Sequence, residues 1–308
     1  MKSIATLTMN PTIDVAYEVE SVFHTQKMRA LEEHYAPGGG GINVARVFVR
    51  LGGNARCYYL SGGATGPALD GLLDLHQLVR TRIAIAEPTR LATTVFEQAS
   101  GREYRVVPPG PSVAPEEWRL CLDMLEQADC DYLVASGSLP RGVPEDFYVR
   151  VCRIMEARGI AMVVDTSGAA LKACLEAGGI TLVKPNLREL SEIAGRELET
   201  ADEAAQAAAE IVNRGQAEMV AVTLGHKGAV LVSRGETLQL PPIEVEVQSA
   251  VGAGDSFVAG MVYGLALGWE PAKAFRHGMA TGTAAVLTPG TTLAYPHDIE
   301  RIFASISG

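Results

Sequence analysis

The chain has 308 residues, a length that suits one large α/β domain over residues 1–308 with at most a small appendage. Apolar residues make up 47% of the chain and charged residues 20%, which is typical of folded globular proteins and excludes intrinsic disorder. The net charge of −10, without any run of Lys or Arg, argues against a surface that binds nucleic acid or an anionic membrane.

Three features of the chain predict a cytoplasmic protein. The first eleven residues lack the apolar core of a signal peptide and are predicted to form the first strand instead. No stretch approaches the roughly 18 consecutive apolar residues of a membrane-spanning helix. The cysteines are odd in number and lack C-x-x-C spacing, so they predict reduced thiols and neither disulfides nor a zinc site: Cys57, Cys121, Cys130, Cys152 and Cys174.

Two early segments, residues 14–37 and 88–109, contain short stretches in which apolar and polar residues alternate. They predict β excursions that form a small sheet over the ligand crevice, a lid that excludes water from the chemistry. Because a thin sheet cannot bury both of its faces alone, we expect a homodimer to cover the outer face. The alternative is a pair of ordinary edge hairpins.

Four consecutive glycines, residues 38–41, open an apolar helix that contains Asn43. So many glycines cost conformational entropy, which favours a site where a ligand approaches the backbone closely. Asn43 has donors and an acceptor that suit sugar hydroxyls, although it would also serve as a helix cap. The run does not match G-x-G-x-x-G, and no G-K-[ST] sequence occurs, so neither a Rossmann dehydrogenase nor a P-loop kinase is indicated.

From about residue 116 onward, helical segments alternate with β-branched strands at 132–136, 160–165, 180–183 and 219–223. Near-continuous apolar strands separated by helices predict a doubly wound, mostly parallel sheet with helices on both faces. Each strand ends in polar residues or glycine, at the edge where open α/β sheets bind their ligands.

The third of these strands leads into Lys184-Pro185-Asn186, with Glu189 following one helical turn later. An amide and a carboxylate at this spacing share one helical face and suit the water shell of Mg²⁺. A capping box explains the same spacing. After the fourth strand, the glycine turn from Thr223 to Gly228 suits nucleotide phosphates, a weaker pattern.

The sequence Gly252-Ala253-Gly254-Asp255 precedes another apolar helix. Glycines on either side of Ala253 let successive backbone N–H groups point at one anion, and the helix N-terminus adds partial positive charge. The pattern predicts an anion-binding loop, with Asp255 in the first turn of the helix that follows it. A capping aspartate after a glycine turn is the alternative.

Together these motifs resemble the ribokinase-like sugar kinases, specifically the phosphofructokinase branch of that family. The likeness runs nearly end to end, and it includes the opening Thr6–Asp14 segment and Gly290-Thr291 near the C-terminus. It implies a doubly wound α/β core with a β lid, ATP and Mg²⁺ as cofactors, and a phosphorylated ketohexose as acceptor.

The resemblance also implies roles for individual residues. It makes Asp255 the base, with Gly252, Ala253 and Gly254 as the anion hole. It places the sugar at Asp14, Gly38, Gly39 and Asn43, and the sugar phosphate at Lys27, Arg29, Arg90, Arg105 and Ser138. It places the nucleotide and its Mg²⁺ at Lys184, Asn186, Glu189, Thr223, Gly225 and Gly228. A monovalent-cation loop, with K⁺ as the expected ion, maps near Ser249, Val251, Ala285, Thr288, Gly290 and Thr292.

Two positions bear on the substrate. Ser249 stands where many family members carry Asp, and Gly40 stands where 1-phosphofructokinases and tagatose-6-phosphate kinases commonly carry Lys. Both favour fructose 6-phosphate, phosphorylated at its C1 hydroxyl as in glycolysis. The other two kinase activities are alternatives, and a sugar-phosphate sensor without turnover is a non-enzymatic one.

Overall fold

The computed structural model describes residues 1–306, so residues 307 and 308 of the predicted domain lie outside the described range. Within it the strands are Ile4–Thr8 (β1), Thr12–Val19 (β2), Glu32–Gly38 (β3), Ala55–Gly62 (β4), Val79–Ile85 (β5), Arg90–Glu97 (β6), Arg102–Val106 (β7), Tyr132–Ser136 (β8), Ala161–Asp165 (β9), Ile180–Val183 (β10), Ala217–Thr223 (β11), Ala229–Ser233 (β12) and Glu236–Leu240 (β13).

The helices are Gly40–Arg50 (α1), Gly66–Leu75 (α2), Pro115–Leu125 (α3), Phe147–Ala157 (α4), Gly168–Ala177 (α5), Leu187–Ala194 (α6), Ala201–Asn213 (α7), Ala253–Ala266 (α8), Pro271–Ala285 (α9) and Pro296–Ile306 (α10). A 3₁₀ turn at Gly225–Lys227 joins β11 to β12. No helix within residues 1–306 is both long and apolar enough to cross a bilayer.

The main sheet has nine strands in the order β13-β12-β11-β10-β9-β8-β1-β4-β5. Its strands are parallel except where β12 runs antiparallel to β11 and β13. The chain starts at β1, adds β4 and β5 on one side, and then returns to add β8 to β11 on the other. This doubly wound topology confirms the predicted fold, and β8 to β11 match the four predicted strands within two residues.

Helices cover both faces of the main sheet because its strands are apolar on both sides. One face packs on α1, α2, α8 and α9 through buried side chains such as Phe48 and Phe257. The other face packs on α3 to α7 through side chains such as Phe147 and Leu190. The two cores fix the positions of the loops at the carboxyl ends of the strands.

The small sheet has four strands in the order β3-β2-β6-β7, which confirms a second sheet built from the two early segments. Side chains alternate between its faces, and the strand register places Asp14, Thr94 and Arg105 on one face. The opposite face carries mainly apolar side chains that are partly or largely exposed: Tyr17, Tyr35, Leu91, Val95, Tyr104 and Val106.

The winding of the main sheet reverses between β1 and β8, which are hydrogen-bonded neighbours. Ligands of open α/β sheets bind in the crevice at such a reversal. Here the amide of Asn10, just after β1, donates to Ser138 Oγ, just after β8, over 3.3 Å. The loops that follow these strands are therefore the place to look for a site.

Candidate active site

Asp255 lies in the first turn of α8, directly after the predicted anion-binding loop. Gly252 precedes the helix with φ of 73°, a left-handed conformation that favours glycine. The amide nitrogen of Asn43 donates a hydrogen bond of 2.9 Å to Asp255 Oδ2, so α1 and α8 meet at this carboxylate. The N-cap position is Gly252, so Asp255 lies inside the first turn and not at the capping position.

The environment of Asp255 raises its pKa to about 6. Burial is the main cause, and the charges of Asp165 and Asp14 raise the pKa further. The hydrogen bond from Asn43 and the charge of Lys184 act in the opposite direction. A carboxylate with a pKa near neutrality is well matched to accepting a proton from a hydroxyl, so these contacts suit a general base.

Lys184 and Asp165 form a buried ion pair beside the anion-binding loop, with 3.1 Å between Lys184 Nζ and Asp165 Oδ1. Burial favours the neutral amine, but the charges of Asp165, Glu189 and Asp255 outweigh it and raise the pKa of Lys184. A Cβ at Gly254 would lie 3.4 Å from Lys184 Nζ, so the ammonium group lies directly against the loop. Lys184 therefore remains charged where phosphate would bind.

The four glycines between β3 and α1 pack tightly against neighbouring strands. Gly39 has φ of 112°, and a Cβ there would lie 3.2 Å from the backbone of Pro11. A Cβ at Gly40 would lie 3.1 Å from the carbonyl carbon of Ser136, and one at Gly38 would overlap Asp14. The run is therefore required by close packing around the site as well as by any ligand.

Asp14 lies in a small pocket between the small sheet and the loops that precede α8 and follow α9. Burial raises its pKa, while the charges of Arg105, Arg46 and Arg90 partly offset that effect. Arg105 lines the same pocket, together with Val251, Gly290 and Thr291 from the C-terminal part of the chain. The structure thus brings Asp14 and Arg105 together, as the sugar-phosphate roles require.

Arg90, which is predicted to contact a substrate phosphate, bonds to three backbone carbonyls in this structure. Its guanidinium donates to the carbonyls of Asn10 at 2.7 Å, Pro108 at 3.0 Å and Pro11 at 3.4 Å. It therefore joins the strands that enter and leave the small sheet. These bonds use three of its five N–H groups, and a phosphate contact of Arg90 stays a prediction.

Asn10 was not predicted to have a role of its own. Its Nδ2 donates to Pro109 O at 3.2 Å and to Ser138 Oγ, whose predicted role stays untested. Its Oδ1 is buried, as is Oδ1 of Asp14, and neither has a hydrogen-bond partner in the described part of the chain. Since buried polar atoms are nearly always paired, both oxygens are available to donors such as sugar hydroxyls.

Lys27 and Arg29 lie on the exposed connection between β2 and β3. Neither lines the pocket that contains Asp14 and Arg105. Within one chain the structure therefore does not bring these two side chains to the predicted sugar-phosphate end, because their loop extends beyond the edge of the small sheet. Their roles stay predictions.

A larger cleft of about 650 Å³ opens on the other side of the anion-binding loop. Six residues that line it were predicted, and they come from three separate parts of the chain: Asn186 after β10, Thr223, Gly225 and Gly228 in the turn between β11 and β12, and Ala253 and Gly254 at the start of α8. The rest of the lining is largely apolar and was not predicted; it includes Val245, Val247, Phe257, Met279 and Val286. The shape and lining suit a planar base with phosphates directed at Gly254.

Asn186 and Glu189 form the capping box that the sequence offered as an alternative to an Mg²⁺ role. Asn186 Oδ1 accepts a hydrogen bond from the backbone N–H of Glu189, and Glu189 Oε2 accepts one from the backbone N–H of Asn186, both at 2.9 Å. The box leaves the charge of Glu189 close enough to act on Lys184. Three carboxylates around one ammonium leave net negative charge, which fits a divalent cation brought by a nucleotide.

The residues of the predicted cation loop come together, but several of their oxygens have partners. Ser249 Oγ accepts from the Val251 amide at 3.2 Å, and Thr288 Oγ1 donates to Ala285 O at 2.8 Å. Arg50 donates to Thr292 O at 2.6 Å. No group of three or more His, Cys, Asp or Glu side chains suited to a metal ion occurs in residues 1–306. The cation site stays a prediction.

Comparisons with known proteins agree with this geometry. The family model described as "pfkB family carbohydrate kinase" matches residues 6–298. The chain is 43% identical over 302 residues to ATP-dependent 6-phosphofructokinase isozyme 2 of Mycobacterium tuberculosis, covering 97% of this chain and 88% of that protein. Crystal structures of Escherichia coli phosphofructokinase-2 match over 100% of both chains: the complex with potassium at 39% identity and a TM-score of 0.95, and the complex with fructose-6-phosphate at 38% and 0.93.

Proposed function

The chain belongs to the pfkB family of carbohydrate kinases, and we propose that it transfers the γ-phosphoryl group of ATP to the C1 hydroxyl of fructose 6-phosphate. The observation that carries this proposal is the position of Asp255. The residue contacts Asn43 on the sugar side and belongs to the turn that lines the nucleotide cleft. A single carboxylate thus lies between the two predicted substrates.

The proposed reaction is a direct displacement at the γ-phosphorus. The C1 hydroxyl oxygen forms the new bond to phosphorus while its proton passes to the Asp255 carboxylate. The bond between the γ-phosphorus and the bridging oxygen breaks, and ADP leaves with the electron pair. The amides of residues 252–254 and the Lys184 ammonium stabilise the negative charge that develops on the transferred group.

Asn186 and Glu189 are the residues that would hold the water shell of Mg²⁺ in this proposal. The ion, when bound with ATP, offsets the charge of the phosphates. The capping box fixes both side chains before ATP arrives, so no ordering is required during the reaction.

The packing of Gly40 supports fructose 6-phosphate over the two alternative ketohexose phosphates. Position 40 lies against Ser136, where any side chain would collide. The Lys that is common there in 1-phosphofructokinases and tagatose-6-phosphate kinases therefore requires a different backbone. The fructose-6-phosphate bound by the E. coli relative agrees with this choice.

The outer face of the small sheet supports the proposal of a homodimer. Its exposed apolar side chains form the face opposite Asp14 and Arg105. Exposed apolar area of this extent favours association with a second copy, because burial removes it from water. In this arrangement the small sheet is a lid over the sugar site and an interface at the same time.

A monovalent cation is the last part of the proposal. The potassium complex of the E. coli relative supports K⁺ at the loop around Ser249 and Thr288. The carbonyls of that loop are hard oxygen donors, which suit K⁺ better than they suit a transition metal. Activity with K⁺ compared with activity in tetramethylammonium would test it.

A substrate panel tests the function directly. With ATP and Mg²⁺, fructose 6-phosphate should give a higher kcat/KM than fructose 1-phosphate or tagatose 6-phosphate. A preference for either of the other two sugars would overturn the substrate and leave the kinase assignment intact. Absence of ADP release with all three sugars, combined with binding of one of them, would favour the sensor.

A further inference from the structure

Arg46 is a buried arginine on α1, one helical turn after Asn43, and nothing in the sequence motifs gives it a role. One of its terminal nitrogens donates to Asn43 Oδ1 at 3.2 Å and to Pro37 O at 3.0 Å. The other donates to Thr291 O at 3.3 Å. Arg46 thus contacts strand β3, the C-terminal loop that lines the Asp14 pocket, and the residue that bonds to Asp255.

The contact with Arg46 determines which way the Asn43 amide faces. A guanidinium donates hydrogen bonds and accepts none, so the amide must turn its oxygen toward Arg46. The amide nitrogen is then directed at Asp255 Oδ2, at the observed 2.9 Å. If the amide were reversed, its oxygen would face a carboxylate and its NH₂ group would face a cation, and both contacts would be repulsive.

The charge state of Asp255 depends on whether the nitrogen or the oxygen of the Asn43 side-chain amide faces it. A hydrogen bond from N–H stabilises the carboxylate and lowers the pKa, whereas an amide oxygen would stabilise the protonated acid. The charged groups that act on this carboxylate are Asp165 at the end of β9, Lys184 after β10, Asp14 on β2 and Arg46 itself. Asp165 and Asp14 disfavour ionisation of Asp255. The hydrogen bond from Asn43 and the charge of Lys184 favour it.

We propose that Arg46 is a positioning residue that orients the Asn43 amide and so keeps the Asp255 carboxylate ionised and able to act as the base. The inference rests on the proposed function because it assumes that Asp255 accepts the proton. Burial lowers the pKa of Arg46 to about 10, so its guanidinium remains charged at neutral pH. A purely structural clamp between the carbonyls of Pro37 and Thr291 is the competing explanation.

The pH dependence of kcat at saturating substrates distinguishes these explanations, because it reports the groups in the enzyme-substrate complex. Arg46→Met removes the donors and keeps the bulk. We expect this substitution to move the acidic limb of the kcat–pH profile upward by about one pH unit. Such a shift corresponds to about 1.4 kcal/mol of lost stabilisation of the Asp255 carboxylate. Asn43→Ala should move the limb similarly, and the double variant should move it no further than Asn43→Ala alone.

Arg50→Met is the matched control. Arg50 lies one turn after Arg46 and bonds to the carbonyls of Thr292 and Ala294, but it does not bond to Asn43. Arg50→Met should therefore leave the acidic limb of the kcat–pH profile in place. If Arg46→Met moved the acidic limb equally in the wild type and in Asn43→Ala, the charge of Arg46 would be acting on Asp255 through space, and the proposal would be overturned. A folded Arg46→Met enzyme with a lower melting temperature and an unmoved limb would establish the structural clamp instead.

If Arg46→Met does not fold, Arg46→Lys provides the same comparison, because lysine keeps the charge and replaces the fork by a single nitrogen. An upward shift smaller than that of Asn43→Ala supports the proposal, and an unmoved limb overturns it. A wild-type protein that phosphorylates none of the three sugar phosphates would instead overturn the proposed function, whatever the variants show.

Discussion

At the scale of single residues, the site depends on how Asp255 is kept reactive without being fully neutralised. Burial, Asp165 and Asp14 favour the protonated acid, whereas Asn43 and Lys184 favour the carboxylate. The balance leaves a pKa of about 6. Asp255 is therefore ionised at neutral pH yet basic enough to accept a proton from a sugar hydroxyl.

Replacing Asp255 by Asn removes the proton acceptor and keeps the size of the side chain. We expect kcat to fall by at least about 100-fold, while both KM values stay near those of the wild type. In the wild type, kcat/KM should decrease as the pH falls through about 6, because protonation of Asp255 removes the base of the free enzyme. Steady-state kinetics between pH 5 and 8 would measure both effects.

Asp202→Asn is the control for this change, because Asp202 is an exposed aspartate in the first turn of α7. Its turnover should equal that of the wild type. If Asp255→Asn retained more than about half of the wild-type turnover and melted at a lower temperature, Asp255 would be a structural residue. Asp14 would then be the next carboxylate to test as the base.

At the scale of secondary-structure elements, the start of α6 is predicted to combine two roles in the same side chains, helix capping and Mg²⁺ binding. Asn186 and Glu189 satisfy each other's backbone N–H groups, which stabilises the helix N-terminus. The charge of the Glu189 carboxylate also acts on Lys184, and Asn186 lines the large cleft. Sequence alone could not separate the capping role from the Mg²⁺ role, because the same spacing serves both.

Glu189→Gln separates the two roles. Glutamine completes the capping box, so the melting temperature should change little, but the loss of charge should raise the Mg²⁺ concentration needed for half-maximal activity by roughly tenfold. Glu203→Gln is the matched control, because Glu203 forms the capping box of α7 with Thr200. Equal Mg²⁺ requirements in the two variants would leave Glu189 with a capping role alone.

At the scale of the whole molecule, the small sheet has one polar face toward the site and one apolar face toward solvent. Strand alternation produces this division, since Asp14 and Val15 are neighbours in the chain and face opposite ways. The inner face is defined by the substrate pocket. Val15 is buried on the outer face, but Tyr35 and Val106 there are exposed in a single copy of the chain, so assembly and catalysis are predicted to depend on the same four strands.

Val106→Asp tests this arrangement, because Val106 is 67% exposed on the outer face. A charge there should prevent association, since burying an unpaired carboxylate is strongly unfavourable. We expect light scattering at micromolar concentration to give the mass of a monomer, compared with a dimer for the wild type. Leu75→Asp, at a site 80% exposed at the end of α2, should remain dimeric. A monomeric wild type would contradict the dimer itself.

Much of the site was predictable from sequence because its central parts are local. The glycines at 252 and 254 and Asp255 are contiguous, and the Asn186–Glu189 pair spans one helical turn. Glycine conformations and helix N-termini are properties of a few neighbouring residues, so their consequences can be derived without tertiary structure. The alternation of strands and helices likewise determined the doubly wound architecture.

Other parts of the site depend on residues that are far apart in the chain. The Lys184–Asp165 ion pair, the bond from Asn10 to Ser138 and the contact of Asn43 with Asp255 each join different elements. The polar end of the predicted strand 160–165 indicated that Asp165 lay at the ligand edge, but not which partner it would meet, and no sequence pattern gave Asn10 a role. Partners across a sheet depend on strand order, which a local pattern does not encode.

The apolar lining of the nucleotide cleft was beyond prediction for a different reason. Phe257 and Met279 belong to helices whose other apolar residues form the core. In the sequence, an apolar residue that lines the cleft cannot be distinguished from one that packs in the core. Whether an apolar side chain meets another element or an open cleft is decided by how the helices pack. The sequence by itself therefore determined the chemistry that this protein has available, whereas the tertiary structure decided which groups meet and which surfaces stay open to ligands.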